Sequence, residues 1–539
     1  MQVSDEKNGT TRIRNVGSEQ HLKCINRKVA KAQRKFYEIY YSEYGQIRGN
    51  PMISTLITHE LKNIFFSPKF TVTFLVVSVL MLLSVIVGVD QFDRATRQYE
   101  TTTQLVQQEM REARGWMGLN NKVLRRPDPM QIFVSGVNND IGRISAVNSF
   151  NGIKLIHSTY SDDPIYAVFR SIDLAFIVTV VFSLLAILFT YDSINGETER
   201  GTLQLTFSNA VPRTRYIIAK FIGSWLGLVI PLLIPMLLSL LVLLTWNVPM
   251  NGDDWLKLMT LFGAAVLYLT FFISLGIFLS TMTKRSSVSF LFSLVIWVCL
   301  VFIVPRAGAT IAGQVIPVPT VAEIEGQQET FSKDRWSKYE DVMQEKWKRR
   351  NAPTEGMSKE EREAFREENM WQWMEEDDKD RKDVQKDIDA FAAKVNEDLR
   401  NKKAEQEQFA FTLSRLSPAS AFQLAAMNLA GTDISLKRRY EDALNTYRPV
   451  FTAYKEKKQK ENGGIGGIRI SVDSDTGVKI DTGREKGVLD TSDMPRFEHP
   501  LHSYRDAVTP AIIDFGLLGI FSLAAFAGAF MRFLRYDVR

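Results

Sequence analysis

The chain has 539 residues, 45% of them hydrophobic and 24% charged, with a formal net charge of +5 and two cysteines. A mean hydropathy of −0.09 would suit a soluble protein, but the apolar residues gather into six blocks separated by charged stretches, so the average describes neither part. The modest charge argues against a nucleic-acid partner. Cys24 lies in a basic segment and Cys299 inside an apolar block, which leaves no intramolecular disulfide to expect.

Residues 1–51 are polar and basic and lack apolar periodicity. They read two ways: as a translated extension ahead of a true start at Met52, or as a cytoplasmic tail against anionic lipid. Next, Ile53, Leu56, Ile57, Leu61, Ile64 and Phe65 recur at helical spacing, with Thr58, Glu60 and Lys62 on other faces. That predicts an amphipathic helix in the membrane interface over 52–69, stopped by Pro68. His59-Glu60 opens a zinc-binding HExxH pattern that Asn63 spoils, so no metal is assigned there.

A membrane helix needs about 20 apolar residues to cross roughly 30 Å of hydrocarbon. The blocks at 70–89, 172–191, 217–246, 258–280, 288–304 and 511–531 meet this need. They predict an α-helical polytopic membrane protein with six transmembrane helices and two large insertions, 90–170 and 306–510. Lys and Arg near the span ends set the orientation. They flank the first span (Lys62, Lys69), the loop after the second (Arg200, Arg213, Arg215), the loop after the fourth (Lys284, Arg285) and the tail 532–539 (Arg532, Arg535, Arg539). The loop 247–255 has Asp253 and Asp254 and no Lys or Arg. Both termini then face the cytoplasm, and both insertions lie outside it.

The first insertion opens on a helical pattern from Arg94 to about Arg114 that continues the first span outward, followed by short strands such as Gln131–Val134. In the second, Phe331, Trp336, Tyr339, Met343 and Trp347 mark one helix. Val384, Ile388, Phe391, Val395 and Leu399 mark another, and together they predict an antiparallel helical arm. The run Glu375-Glu376-Asp377-Asp378 reads as a solvated face. Alternation at 468–472 and 478–481 predicts a small β-hairpin around Asp473–Gly477, whose acidic residues fall short of a calcium loop. His499 and His502 lack a third ligand nearby in sequence.

Inside the spans, Pro231 and Pro235 each remove a backbone hydrogen bond and favour a kink in the third. Asp514 puts a carboxylate in the sixth, where it either faces a substrate path or snorkels to water. These three are the candidate residues of a substrate path. Ala524 and Gly528 give a small-xxx-small spacing suited to close helix packing.

The most informative stretch is the loop 192–216 between spans two and three. Gly201 breaks the acidic run Glu197-Thr198-Glu199, after which Thr202 can cap a short helix carrying Leu203, Leu205 and Phe207, stopped by Pro212. Apolar side chains held at the membrane face on a short helix call for a partner that covers them.

The pattern Asp192…Glu197-x-Glu199-x-Gly201-Thr202-Leu203…Ser208…Pro212…Arg215…Lys220 resembles that of type 2 ATP-binding-cassette exporter permeases. So do Glu60…Ser67-Pro68-Lys69-Phe70 and the six-span layout. Leu416-Ser417-Pro418…Ala430-Gly431-Thr432-Asp433 resembles the subgroup with large insertions after spans one and five. The similarity covers roughly residues 52–539. It implies that two permeases pair, as copies or with a sister subunit, above two cytoplasmic ATPase subunits in a bacterial inner membrane. It also implies that Glu197, Glu199, Arg200, Gly201, Thr202, Leu203 and Leu205 belong to a coupling helix seated in the ATPase. The chain has no GxxxxGK[ST] phosphate loop and no nucleophile–base arrangement. A non-catalytic subunit is therefore expected, with ATP and magnesium on the partner and no cofactor of its own. The competing reading is a membrane-anchored sensor or scaffold whose outer domains bind a partner without transport.

Overall fold

The apolar stripe at the start of the chain folds as α1 (Pro51–Phe65). The computed structural model describes residues 51–112, 119, 121–138, 144–147, 155–156, 173–209, 211–461, 469–473, 477–481, 491–500 and 502–537. The basic segment before Pro51, with Cys24, the glycine pairs at 463–467 and the hairpin turn 474–476 lie outside the described residues.

Ser67 accepts from the Phe70 amide and Pro68 sets the first turn, so the chain re-enters helix at once as α2 (Pro68–Glu112). At 45 residues α2 is about 68 Å long, roughly twice what a bilayer core requires. Its polar half continues the span outward. The second span, α3, is built from Leu174–Phe176, Ile177–Phe182 and Ser183–Thr190, with the middle piece wound as a π-helix. Two short helices, α4 (Asn195–Glu199) and α5 (Thr202–Ser208), precede α6 (Arg213–Thr245), α7 (Gly252–Met282) and α8 (Ser286–Val315). The last span is α13 (Tyr504–Leu534). Among the described residues, six helices are thus long and apolar enough to cross a membrane. α6 remains one helix through Pro231 and Pro235, although neither can donate back to the carbonyl four residues earlier, and the Ser239 hydroxyl donates to the Pro235 carbonyl.

The insertion after α8 is an arm of α9 (Val321–Asn351) and α10 (Lys359–Ser414), each opened by a capping box, Thr320/Glu323 and Ser358/Glu361. Phe331 stacks on Phe391 at 4.0 Å. The acidic run lies at the surface, with Glu375 and Glu376 exposed and Asp377 and Asp378 half-buried, and its last three charges are paired there. Glu376 and Asp377 both receive Arg350, at 3.0 and 2.9 Å, while Asp378 pairs along its own helix with Arg381 and Lys382.

Not all of 306–510 stands clear of the spans. α10 descends along α8 until Ser414 lies against Pro305 and Gly308. After a turn at Arg415–Ser417, α11 (Pro418–Ala430) climbs back, buried at nearly every position. Its Phe422 stacks on Tyr268, midway along α7, at 5.0 Å, and Ser417 donates to the Leu300 carbonyl of α8. Gly431 ends the helix in the left-handed region (φ +67°), and a Cβ there would meet the His502 ring at 2.8 Å. α10 and α11 therefore form a re-entrant hairpin between α7, α8 and α13. A 13-residue helix is too short to register as a span.

Beyond it, α12 (Ser435–Glu461) packs Tyr440, Leu444, Tyr447 and Phe451 on Val106 and Met110 of α2, beside the antiparallel sheet β1 (Asn121–Leu124), β2 (Ile144–Val147), β3 (Leu155–Ile156). Gln131–Val134 is not a strand. Pro129–Ile132 forms a 3-10 turn capped by Asp128 and wedged against Gly88 of α2, because Pro127 and Pro129 lack the donors a ladder needs. β4 (Arg469–Asp473) and β5 (Gly477–Asp481) pair antiparallel as a hairpin.

Where α10 meets α12, burial pushes the Glu407 carboxyl up to about 6, offset in part by Arg438, Lys403 and Lys437. The folded chain holds this proton more tightly than an unfolded glutamate of pKa 4.5. The contribution is therefore complete below about pH 4.5 and is lost as pH rises through about 6. Glu407→Gln is expected to flatten the fall in melting temperature across that window.

Candidate functional site

At the basic end of the spans, Gly201 joins α4 to α5. Its φ of +72° places it in the left-handed region, and a Cβ there would meet nothing within 4 Å, so the constraint is conformational rather than steric. Gly201, not Thr202, occupies the N-cap of α5. The Thr202 hydroxyl turns back and donates to the Glu197 carbonyl at 3.2 Å.

The three apolar side chains of α5 part company. Leu203 is fully buried within the bundle. Phe207 is half-buried, with its ring 5.3 Å from Tyr216 and 6.2 Å from Phe533. Leu205 is 68% exposed and is the one large apolar side chain that α5 offers outward. The expectation that all three are presented fails for Leu203, because one turn of a short amphipathic helix must rest on the bundle that holds it.

Beneath α5 lies a buried charge cluster. Lys220 of α6 reaches Glu60 of α1 at 2.5 Å and Glu197 of α4 at 2.6 Å, all three side chains being less than 15% exposed. Ser224 donates to Glu60 at 3.3 Å and Tyr216 donates to Glu197. Glu60 thus faces the third span rather than a polar side of α1. Two glycines permit the approach: a Cβ on Gly223 would stand 2.7 Å from Glu60 Cβ, and one on Gly227 would stand 2.8 Å from Ile64 Cδ1.

The other polar residues tie the loop to the remaining spans. Glu199 accepts from the Ser286 amide at 2.9 Å and its hydroxyl at 2.7 Å, which puts a carboxylate at the start of α8, where the helix dipole favours one. Ser280 at the end of α7 accepts from the Ile194 and Asn195 amides. Arg213 donates to the Leu534 carbonyl at the end of α13, and Arg200 folds back on the Gly196 carbonyl. Through these contacts α1, α6, α7, α8 and α13 all grip one loop. The loop that carries α5 is thus held by pairs with fixed partners rather than hanging as a loose linker.

Of these residues, Tyr216, Asn195, Ser280, Ser286 and Phe533 escape the sequence reading. The available signal was a lysine inside an apolar block (Lys220), since a charge so placed requires a partner; Glu60, on an amphipathic helix with Thr58 and Lys62, carried none by itself.

The candidate path residues do not meet. Pro231 borders a small cavity between α2, α3, α6 and α7, and Pro235 is buried in α6. Asp514 is 0% exposed and takes a two-pronged bond from Arg415 at 2.6 and 3.1 Å. It neither snorkels nor lines a cavity with the prolines, but fastens the re-entrant turn to α13. His499 faces Tyr99 and His502 faces the Asn428 carbonyl, so the two rings have separate partners. Among the described residues no group of three His, Cys, Asp or Glu converges as a metal site.

Residues 54–538 match the family model described as ABC-2 family transporter protein. No curated protein matches the chain.

Proposed function

Because the chain belongs to the ABC-2 family of transporter proteins, we propose that it is the permease subunit of an exporter driven by ATP hydrolysis on a separate cytoplasmic ATPase, coupled through α4 and α5. The observation that carries this reading is the geometry of α5. One apolar side chain, Leu205, is turned outward, while its neighbours are fixed through the Glu60–Lys220–Glu197 cluster to α1 and the third span. Such a knob on a rigid mount suits a groove that moves.

In this reading the basic end of the bundle is cytoplasmic in a bacterial inner membrane. The arm and the α12 lobe stand outside, and the substrate-carrying unit is a pair of such permeases, as copies or with a sister subunit. ATP and magnesium sit on the partner. Nucleotide-driven closure of the ATPases shifts α5, and the spans tied to it favour one of two conformations.

Leu205→Asp tests this better than a change at Leu203, whose burial confounds folding with docking. A buried leucine contributes about 1.5–3 kcal/mol, so at least a tenfold loss of ATPase recruitment is expected. The chain should be purified in detergent with its co-purifying ATPase, and ATP hydrolysis measured beside the elution profile of each variant. Gly201→Pro should behave likewise, since proline cannot adopt φ +72°. Full stimulation in both variants removes the loop from the mechanism and leaves the sensor or scaffold.

A further inference from the structure

Between α2, α3, α6, α7 and α11 lies a cavity of about 170 Å³, bordered among others by Met81, Phe182, Leu233, Met236, Gly263 and Phe422. Every residue around it is apolar. A second chamber of about 30 Å³ shares Phe182, Leu232 and Leu269 with the first and extends to Phe70 and Phe189 at the basic end. Measured along α3 from Leu174 to Phe189, the two cover roughly 22 Å at the rise of a helix. Neither belongs to the coupling site.

The glycines of α7 show why the larger chamber is open. A Cβ on Gly276 would run into Thr190 Oγ1 at 1.9 Å, so packing requires that glycine. A Cβ on Gly263 would meet nothing within 4 Å. Gly263 serves no close approach, and because it is itself exposed, the cavity opens to the outside of the bundle at that position. Glycine within a helix is unfavourable relative to alanine, and a void costs its lining atoms their dispersion partners. Water does not fill such a space, because it finds no polar group to bond; apolar cavities of about this volume stay dry and take hydrocarbon. On α6 the neighbouring Ile230, Leu233 and Ile234 are exposed on the outside of the bundle, the side that faces lipid in a membrane-spanning chain.

We propose that this track is a binding site for one hydrocarbon chain, an acyl chain of a bilayer phospholipid that enters sideways past α6 and leaves its headgroup outside. The narrow bore, apolar except for Thr73 in the smaller chamber, whose hydroxyl is bonded to the Lys69 carbonyl, accepts methylene groups and rejects anything that must keep a polar shell. The site lies against the helix that carries Pro231 and Pro235 and against the re-entrant helix α11. A bound chain therefore touches both of the elements that the sixth span and the coupling loop hold in place.

The full chain in nanodiscs containing a phosphatidylcholine with a mid-chain diazirine is irradiated and its adducts are mapped by mass spectrometry. Adducts at Met236, Phe262 and Leu269 should exceed those at the exposed α8 residues Leu291 and Phe292 at least fivefold. Gly263→Trp, which sets an indole at the open edge of the cavity, should reduce that excess at least twofold while α8 labelling stays unchanged and reports an intact fold. Gly263→Ala should keep it. A parallel arm uses a diazirine fatty acid. Enrichment from the fatty acid alone keeps the site and assigns its chain to a single-chain amphiphile instead of a phospholipid. Equal labelling of cavity and α8 in wild type, or photolinks from the cavity to a second copy of the chain, overturns the proposal.

Discussion

Lys220→Met is expected to lower stability by about 3–5 kcal/mol, the usual consequence of leaving a buried charge without its partner. The loss follows from the arithmetic of the cluster: Glu60 and Glu197 converge on one ammonium at 2.5 and 2.6 Å, and none of the three is more than 14% exposed. Without the cation, two carboxylates share a closed site, and each raises the energy of the other's ionised form. Ser224 and Tyr216 donate to them but bring no positive charge. Adding Glu60→Gln and Glu197→Gln to Lys220→Met removes the charges altogether and should recover most of the loss. The measurement is the melting temperature in detergent for the single, double and triple variants. A Lys220→Met protein that melts with wild type would mean that the cluster is solvated. The same variants separate mounting from docking. The triple variant keeps the packing of α1 on Gly223 and Gly227, so if it is stable yet uncoupled from ATP hydrolysis, charge pairing transmits the motion.

The second large effect is expected at Arg415. Arg415→Met leaves Asp514 fully buried without its guanidinium and should cost about 3–5 kcal/mol. A two-pronged pair adds geometry to charge, and here the geometry fixes the turn that reverses α10 into α11. Arg415→Met with Asp514→Leu should be nearly as stable as wild type, because an apolar pair can replace a buried ion pair. That double variant nevertheless removes the polar fastening between the turn and α13, while the apolar packing of α11 remains. Faster amide hydrogen exchange at residues 415–417, with the melting temperature restored, is the expected signature. If Arg415→Met alone is tolerated and the turn stays protected, the pair contributes neither stability nor position.

The glycines separate two kinds of requirement that sequence cannot distinguish. Gly201 is needed for its backbone angle, Gly276 for space against Thr190, and Gly263 for neither. In one dimension all three are simply helix-weakening residues.

What could be read from the chain alone was whatever depends on neighbours in sequence. Six spans were legible because crossing a bilayer is decided by the apolar length of one segment. The helical pattern beyond the first span, the arm's two stripes and the 469–481 hairpin follow from local periodicity, and the break at Gly201 from glycine's tolerance of positive φ. Tertiary structure decided the rest, and in each case the partner lies far along the chain. Lys220 meets Glu60 from 160 residues away. Asp514 finds Arg415 across 99 residues, which turns an apparent path residue into a fastener. α11 looked like part of an outer domain because 13 residues cannot span; only the packing of Phe422 on Tyr268 shows that it returns among the spans. Leu203 and Leu205 are chemically identical, and only the bundle beneath them determines which is buried and which is left to meet a partner. A segment's own composition decides whether it leaves water, whereas a charge or side chain is placed by what other segments bring to it.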